Sequence, residues 1–236
     1  MKSKLSGILA ALLAASMLMT ACSGDDSGSE SASGSSSAAD DSKTKTAAAQ
    51  EETEPSEEVS MEADADAVPV SGAAPVLSIS DAEGAPGDIV PVTISISGAE
   101  DKWSMCGVHV VYDDRLVCLE DENAGQEYIP VYEKGEAVKY AEAFTSMLQT
   151  GEKRNDYLIE NNQCAVFFAS VSSIDNGKDG DIITYQFQIP EDAQPGTVYE
   201  LGFYYRQGDM FLDAAQDMAI QDYAFSHWQG AAVTVK

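Results

Sequence analysis

The sequence predicts an all-β sandwich carried at the far end of an export signal and a spacer, and three observations predict it. Short apolar segments alternate with period two, clusters of Gly and Pro separate them, and every Trp, Tyr and Phe lies within residues 74–236. Strands that bury one side each need a second sheet to cover them, and many short strands with turn punctuation make two packed sheets the economical solution. The 163 residues from 74 to 236 are enough for a core of that kind.

The chain opens on Lys2 and Lys4, a largely apolar stretch from Ile8 to Met19, and then Thr20-Ala21-Cys22. Twelve residues are too few to span a bilayer but fit the apolar region of an export signal. A cysteine directly after small residues resembles the bacterial lipobox. That resemblance implies lipidation of Cys22, removal of residues 1–21 and a stable membrane anchor, since two acyl chains hold where one does not. The open alternative is an ordinary secretory signal cleaved near Ala21.

From Cys22 to Ala73 the chain is mostly Ser, Ala, Gly, Asp, Glu and Thr, with Lys43 and Lys45 against 13 acidic residues, a net charge of −11. Such a segment buries too little apolar surface to offset chain entropy and is expected to be a disordered spacer. About 50 residues of flexible coil reach roughly 40 Å.

The strands follow in order. Val76-Leu77-Ser78-Ile79-Ser80 alternates, Gly84-Ala85-Pro86-Gly87-Asp88 breaks the pattern, and Ile89–Ile96 alternates again. Pro91 argues for an edge or an irregular start there. Further strands are predicted at Met105–Tyr112, Cys164–Ser172, Ile182–Ile189, Val198–Tyr205 and Ala231–Lys236, with turns at Gly177-Lys178-Asp179-Gly180 and Ala193-Gln194-Pro195-Gly196. One helix is expected over Lys134–Gln149, where Ala137, Ala141, Phe144 and Leu148 share a helical face and Gly151 is placed to cap its end.

Charge and motif content exclude several functions. The whole chain carries −27, of which residues 74–236 hold −18 from 27 acidic and nine basic residues. An anion excess of that size repels nucleic-acid backbones. No CxxC pair, Walker loop, HExxH or Gly-x-Ser-x-Gly elbow is present. Asp113-Asp114 reads as a turn that hydrogen-bonds local backbone rather than as an acid–base pair. His109 and His227 lack the neighbours a catalytic histidine needs, which predicts a non-enzyme. Cys106, Cys118 and Cys164 sit among apolar strand residues, the setting of buried free thiols, although a Cys106–Cys118 bridge is conceivable in an exported chain.

Five segments, in order along residues 74–236, resemble the cohesin family. They are Pro75-Val76-Leu77-Ser78-Ile79-Ser80 with Pro86-Gly87-Asp88; Gly107-Val108-His109-Val110-Val111-Tyr112-Asp113 with Arg115-Leu116; and Gly180-Asp181-Ile182-Ile183 with Phe187 and Ile189. Ala193-x-Pro195-Gly196-Thr197-x-Tyr199 and Gly230-Ala231-Ala232-Val233-Thr234-Val235 complete the set. The resemblance implies a nine-stranded jelly-roll sandwich and a non-catalytic receptor that binds dockerin modules of polysaccharide-degrading enzymes or scaffoldins at the cell surface. Calcium is then expected on the dockerin, with no metal or cofactor on this chain.

In that family one sheet face receives the dockerin. Carried over, Met105, Gly107, His109 and Val111 face outward and Cys106, Val108, Val110 and Tyr112 inward. Ala169 and Val171, or their neighbours Phe168 and Ser170, join them, with Met210 and Leu212. The best-described members place Asn and Asp near the positions of Met105 and Gly107, so this chain implies a more apolar contact, with Met as an adaptable surface. The alternative function is a lipid-anchored carbohydrate-binding module, in which Trp103, Trp228, Tyr204 and Tyr205 form a platform for polysaccharide.

Overall fold

Alternation carries most of the architecture. A computed structural model of the chain describes residues 68–236. The predicted export signal, Cys22 and the acidic spacer as far as residue 67 lie outside the described residues. Strands β1 (Val76–Ile79), β2 (Ala82–Gly84) and β3 (Ile89–Ser97) point Leu77, Ile79, Val90, Val92, Ile94 and Ile96 into the core. Then come β4 (Met105–Asp113), β5 (Val117–Cys118), β6 (Tyr132–Lys134) and β7 (Ala143–Gln149). A short helix, α1 (Asp156–Glu160), precedes β8 (Gln163–Val171), β9 (Gly180–Gln188), β10 (Val198–Tyr204) and β11 (Met210–Leu212). A second helix, α2 (Met218–Ser226), leads into β12 (Ala231–Val235).

Two sheets result. One runs β1-β3-β9-β5 with β6 also on β9, and the other runs β2-β12-β10-β4-β8-β7 with β11 beside β10 on β4. All the strand pairings are antiparallel except β2 with β12. This is a jelly-roll β-sandwich. Twelve strands are present among the described residues because the sheets are cut into short pieces; β2, β5, β6 and β11 have three residues or fewer.

Large side chains fill the space between the sheets, among them Trp103, Tyr112, Tyr185, Phe168, Phe187 and Phe211, all fully buried. Tyr112 of one sheet meets Phe187 of the other edge-on at 5.0 Å between ring centroids, an arrangement the ring quadrupoles favour. Gly177 lies flat on the Trp103 indole, where a Cβ would come 2.2 Å from Cε2, so no larger residue fits without moving the ring. Pro91 belongs to an interior strand, but the β1 register ends at Ile94. At Pro91, β3 therefore has a strand partner on one side only, which is where a missing N–H is tolerated.

The helix expected over Lys134–Gln149 is not formed. Gly135 donates its N–H to Ile182 O of β9 at 2.8 Å. One turn of 3₁₀ helix covers Glu136–Val138, and β7 then pairs with β8 over seven residues. The apolar positions that suggested a helix serve a strand equally well: Phe144, Ser146 and Leu148 share one parity and face inward, while Thr145 and Met147 face out. A sheet edge that needs a partner decides between two periodicities the segment satisfies alike. Gly151 caps no helix; at φ +53° it opens a 3₁₀ turn.

The longer helix lies elsewhere. In α2, Asp217 accepts from Ala219 N at 2.9 Å as the N-cap, and Ile220, Ala224 and Phe225 are buried at one end of the sandwich.

The three cysteines of the described residues are free and buried. Burial pushes the Cys106 thiol up to about 12, partly offset by a backbone hydrogen bond from Ser170, and drives Cys118 higher still. Cys164 is raised less, because Arg154 opposes the burial. A raised thiol stays protonated at pH 8 and is a poor nucleophile. Ellman's reagent at pH 8 should therefore leave Cys106 and Cys118 unreacted in the native protein, with Cys164 the fastest of the three, and titrate all three in urea.

Candidate functional site

Strand β4 sits in the middle of the seven-stranded sheet, with β10 and β11 on one side and β8 on the other. Its even-numbered residues Cys106, Val108, Val110 and Tyr112 enter the core. Its odd-numbered residues face the outer side, and the register aligns them with those of the neighbouring strands. Leu212, Met105, Val171 and Ala143 form one cross-strand row; Met210, Gly107, Ala169 and Thr145 form the next. The third row is Tyr204, His109, Phe167 and Met147, and the fourth Gly202, Val111, Ala165 and Gln149.

All eight residues named from the resemblance lie on the outer side of the sheet; Met105, Ala169, Val171, Met210 and Leu212 are half-buried there, whereas Gly107 and His109 are buried beneath their neighbours. Parity is settled for β8, since Phe168 and Ser170 are buried on the core side. Val111 is on the same side but covered. Helix α1, capped by Asn155 accepting from Leu158 N at 3.0 Å, seats the fully buried Leu158 on Val111 and Ala165. Beside it Tyr157 stacks on Tyr204 at 4.4 Å and 3° between planes. The face is closed at the α1 end and over His109, and half-exposed along the first two rows and at Met147, which is 49% exposed.

His109 is 7% exposed and held by a four-residue network. After Tyr204 the chain leaves β4, makes a tight turn through Gly208 (φ +97°) and returns at Met210. That excursion brings Asp209 onto the ring, with His109 Nδ1 2.8 and 3.1 Å from its two carboxylate oxygens. Arg206 donates its backbone N–H to Asp209 at 2.9 Å and its Nη1 to Gln149 Oε1 at 3.2 Å. Gln149 Nε2 lies 2.9 Å from His109 Nε2.

Donor and acceptor rules fix the protons. Arginine only donates, so Gln149 must present its oxygen to Arg206 and its amide nitrogen to His109. His109 Nε2 is then an acceptor, and the ring proton lies on Nδ1, donated to Asp209. The network spans β4, β7 and the 205–209 excursion and holds all three in place around the apolar rows.

The other candidate groups lie elsewhere. Asp113 turns the chain: it accepts from Arg115 N at 3.0 Å and Nε at 2.8 Å, and that guanidinium holds its carboxyl below the usual carboxylate range. Asp114 pairs with Arg154 at 3.0 Å. His227 stacks on Tyr223 at 3.8 Å and donates Nδ1–H to its carbonyl at 2.9 Å. The four rings suggested as a sugar platform are engaged with other rings, and only Trp228 and Tyr205 share a neighbour, Phe225. Trp103 is in the core, Trp228 stacks on Phe203, Tyr204 stacks on Tyr157, and Tyr205 packs on Phe225. Among the described residues no cluster of three or more His, Cys, Asp or Glu is placed to hold a metal ion.

Several members of the face were not read from the sequence. Phe167 follows from the parity of Ala169 and Val171, whereas Ala143, Thr145 and Met147 were hidden by the helix reading of their segment. Arg206, Asp209 and Gln149 carry no local signal, since His109 and Asp209 are 100 residues apart in sequence.

On its outer face the seven-stranded sheet presents half-buried apolar side chains from four neighbouring strands, among them Met105, Val171, Met210 and Met147. The family model for the cohesin domain matches residues 75–207, more than half of the chain, and the chain belongs to that family. Its structure is similar to a type III cohesin module from the cellulosomal ScaE cell-surface anchoring scaffoldin of Ruminococcus flavefaciens. The two are 25% identical, with a TM-score of 0.58, over 70% of this chain and 89% of that one. The sixth cohesin of Acetivibrio cellulolyticus scaffoldin B, solved in complex with a Cel5 dockerin, is 22% identical, with a TM-score of 0.48, over 69% of this chain and 99% of that one. The cohesin of a Clostridium thermocellum OlpA–dockerin complex is 15% identical, with a TM-score of 0.48, over 69% and 99%. Among curated proteins none matches.

Removing the imidazole leaves Asp209, whose side chain is 3% exposed, with the Arg206 backbone N–H as its remaining donor. His109→Ala should lower unfolding free energy by about 2–3 kcal/mol in urea titrations, the cost of a buried charged acceptor losing a donor. Asp209→Asn keeps an acceptor for Nδ1–H and should cost less.

Proposed function

We propose that this chain is a non-catalytic receptor that captures a dockerin-bearing protein, an enzyme or a scaffoldin, on the outer face of its seven-stranded sheet. Family membership supports the partner class, and one observation carries the location. Met105, Ala169, Val171, Met210 and Leu212 are half-buried apolar residues in the first two rows, which run across four strands and close over the buried Gly107. Burying such residues supplies the driving force for association, and large unbranched side chains such as Met105 and Met210 adapt to a partner's contour. Two solved cohesins of similar fold are in complex with dockerins, and calcium belongs to the partner in this reading.

The same proposal places the receptor outside the cell. Lipidated Cys22 fixes it to the outer face of the membrane, and the acidic spacer of residues 22–73 holds the binding domain clear of the surface. The likeness to a cell-surface anchoring scaffoldin module supports that placement. Replacing Cys22 with Ala should release the protein into the medium and abolish acyl labelling.

Affinity measurements with a panel of calcium-loaded recombinant dockerin modules test the receptor reading. The full chain should capture at least one of them, and EDTA should abolish capture by unfolding the dockerin. Met105→Asp and Val171→Asp should each weaken binding by about 2 kcal/mol or more, roughly thirtyfold in Kd, with circular dichroism unchanged. Val111→Asp is unsuitable, because Val111 lies under Leu158. Retention on soluble polysaccharide with no dockerin captured would overturn the reading.

A further inference from the structure

The polar edge of the apolar face has an unbalanced charge. Three arginines lie in the described residues, and two are paired with carboxylates, Arg115 with Asp113 and Arg154 with Asp114. Arg206 has no carboxylate within salt-bridge distance among the described residues, although residues 74–236 hold 27 acidic side chains. The nearest acid in sequence, Asp209, is committed elsewhere: both its oxygens face His109, and one also takes the Arg206 backbone N–H. The guanidinium spends Nη1 on Gln149 Oε1 and is fixed by it beside the third row of the face. Its remaining N–H donors carry no hydrogen bond to the described residues.

We infer that Arg206 is a specificity-determining residue that reads a carboxylate on the docking surface of the partner. This inference rests on the receptor reading above and adds the chemistry of one contact. A half-buried guanidinium at the rim of an apolar face loses its water when a partner covers that face, and a cation so desolvated must gain an acceptor or weaken the complex. Arginine holds a carboxylate with two parallel N–H donors in a fixed fork, and Gln149 has already oriented that fork. The occupant is therefore a dockerin surface that is apolar where it meets Met210 and Ala169 and acidic one step towards Arg206. The rest of the domain makes the selection meaningful. A net charge of −18 attracts basic partners in general, and a cation fixed beside the docking face rejects those that place Lys or Arg opposite it.

The experiment uses the full chain and the panel of calcium-loaded recombinant dockerin modules, with calorimetry at low and high salt. For a module that the wild type captures, Arg206→Gln should weaken binding at least tenfold and Arg206→Glu more. The loss should shrink at 0.5 M NaCl, as a charged rim contact requires. Neutralising one Asp or Glu of the dockerin surface should cost the wild type the same factor and cost Arg206→Gln nothing further. Changing that acid to Lys should restore binding to Arg206→Glu. Unaltered urea midpoints for the Arg206 variants confirm that the fold is intact.

Unchanged affinity and salt dependence in Arg206→Glu, with Met105→Asp still impaired, would overturn the inference and leave the receptor reading standing. A uniform loss that couples to no partner acid would overturn it as well. Failure of the wild type to capture any module would remove both.

Discussion

Strand β4 is buried on both faces, and the rest of the molecule is organised by that constraint. Seven consecutive residues, Cys106 to Tyr112, are buried, a pattern expected of strands covered on two sides rather than of an antiparallel sheet with one wet face. The inner cover is the second sheet, supplied by Phe187, Tyr185 and their neighbours. The outer cover is local. Helix α1 sits on Val111, and the excursion between β10 and β11 sits on His109. Where those covers stop, at Met105, Ala169, Val171, Met210 and Leu212, the apolar surface is half-exposed.

A polar ring in such a strand has to be satisfied from elsewhere, and that requirement links distant segments. His109 takes Asp209 from the far side of the sequence and Gln149 from β7, and Gln149 in turn fixes Arg206. The energetic argument is an asymmetry: each bond contributes modestly, while each orphaned group in this setting is costly. The same network that permits a histidine in the sheet also fixes the Arg206 guanidinium beside the apolar rows.

The strands were legible because half-buried alternation is a local property. Leu77 and Ile79, Val90 to Ile96, and Cys106 to Tyr112 announce their inward parity in the sequence alone, and the outward parity of Met105 and Gly107 follows. Segment 134–149 was misread for a physical reason. Ala137, Ala141, Phe144 and Leu148 satisfy a helical period, while the alternation of Phe144, Ser146 and Leu148 satisfies a strand, and only the need of β8 for a neighbour separates them. Helix α2 did carry a cue, since Asp217 precedes Ile220, Ala224 and Phe225 at helical spacing. Nothing local could mark Arg206 or Asp209, whose roles exist only once β10 and β11 flank the same strand. A membrane anchor at Cys22 rests on motif chemistry, and the described residues begin beyond it.

The central claim is that the outer face of the seven-stranded sheet is the docking surface. Amide hydrogen exchange on the full chain, with and without a saturating captured dockerin module, tests it most directly. The account predicts slowed exchange confined to β7, the open end of β8, β11 and the 205–209 turn, with β3 and β9 unchanged. Protection centred on the five-stranded sheet, or on the acidic loop of residues 119–127, would contradict it.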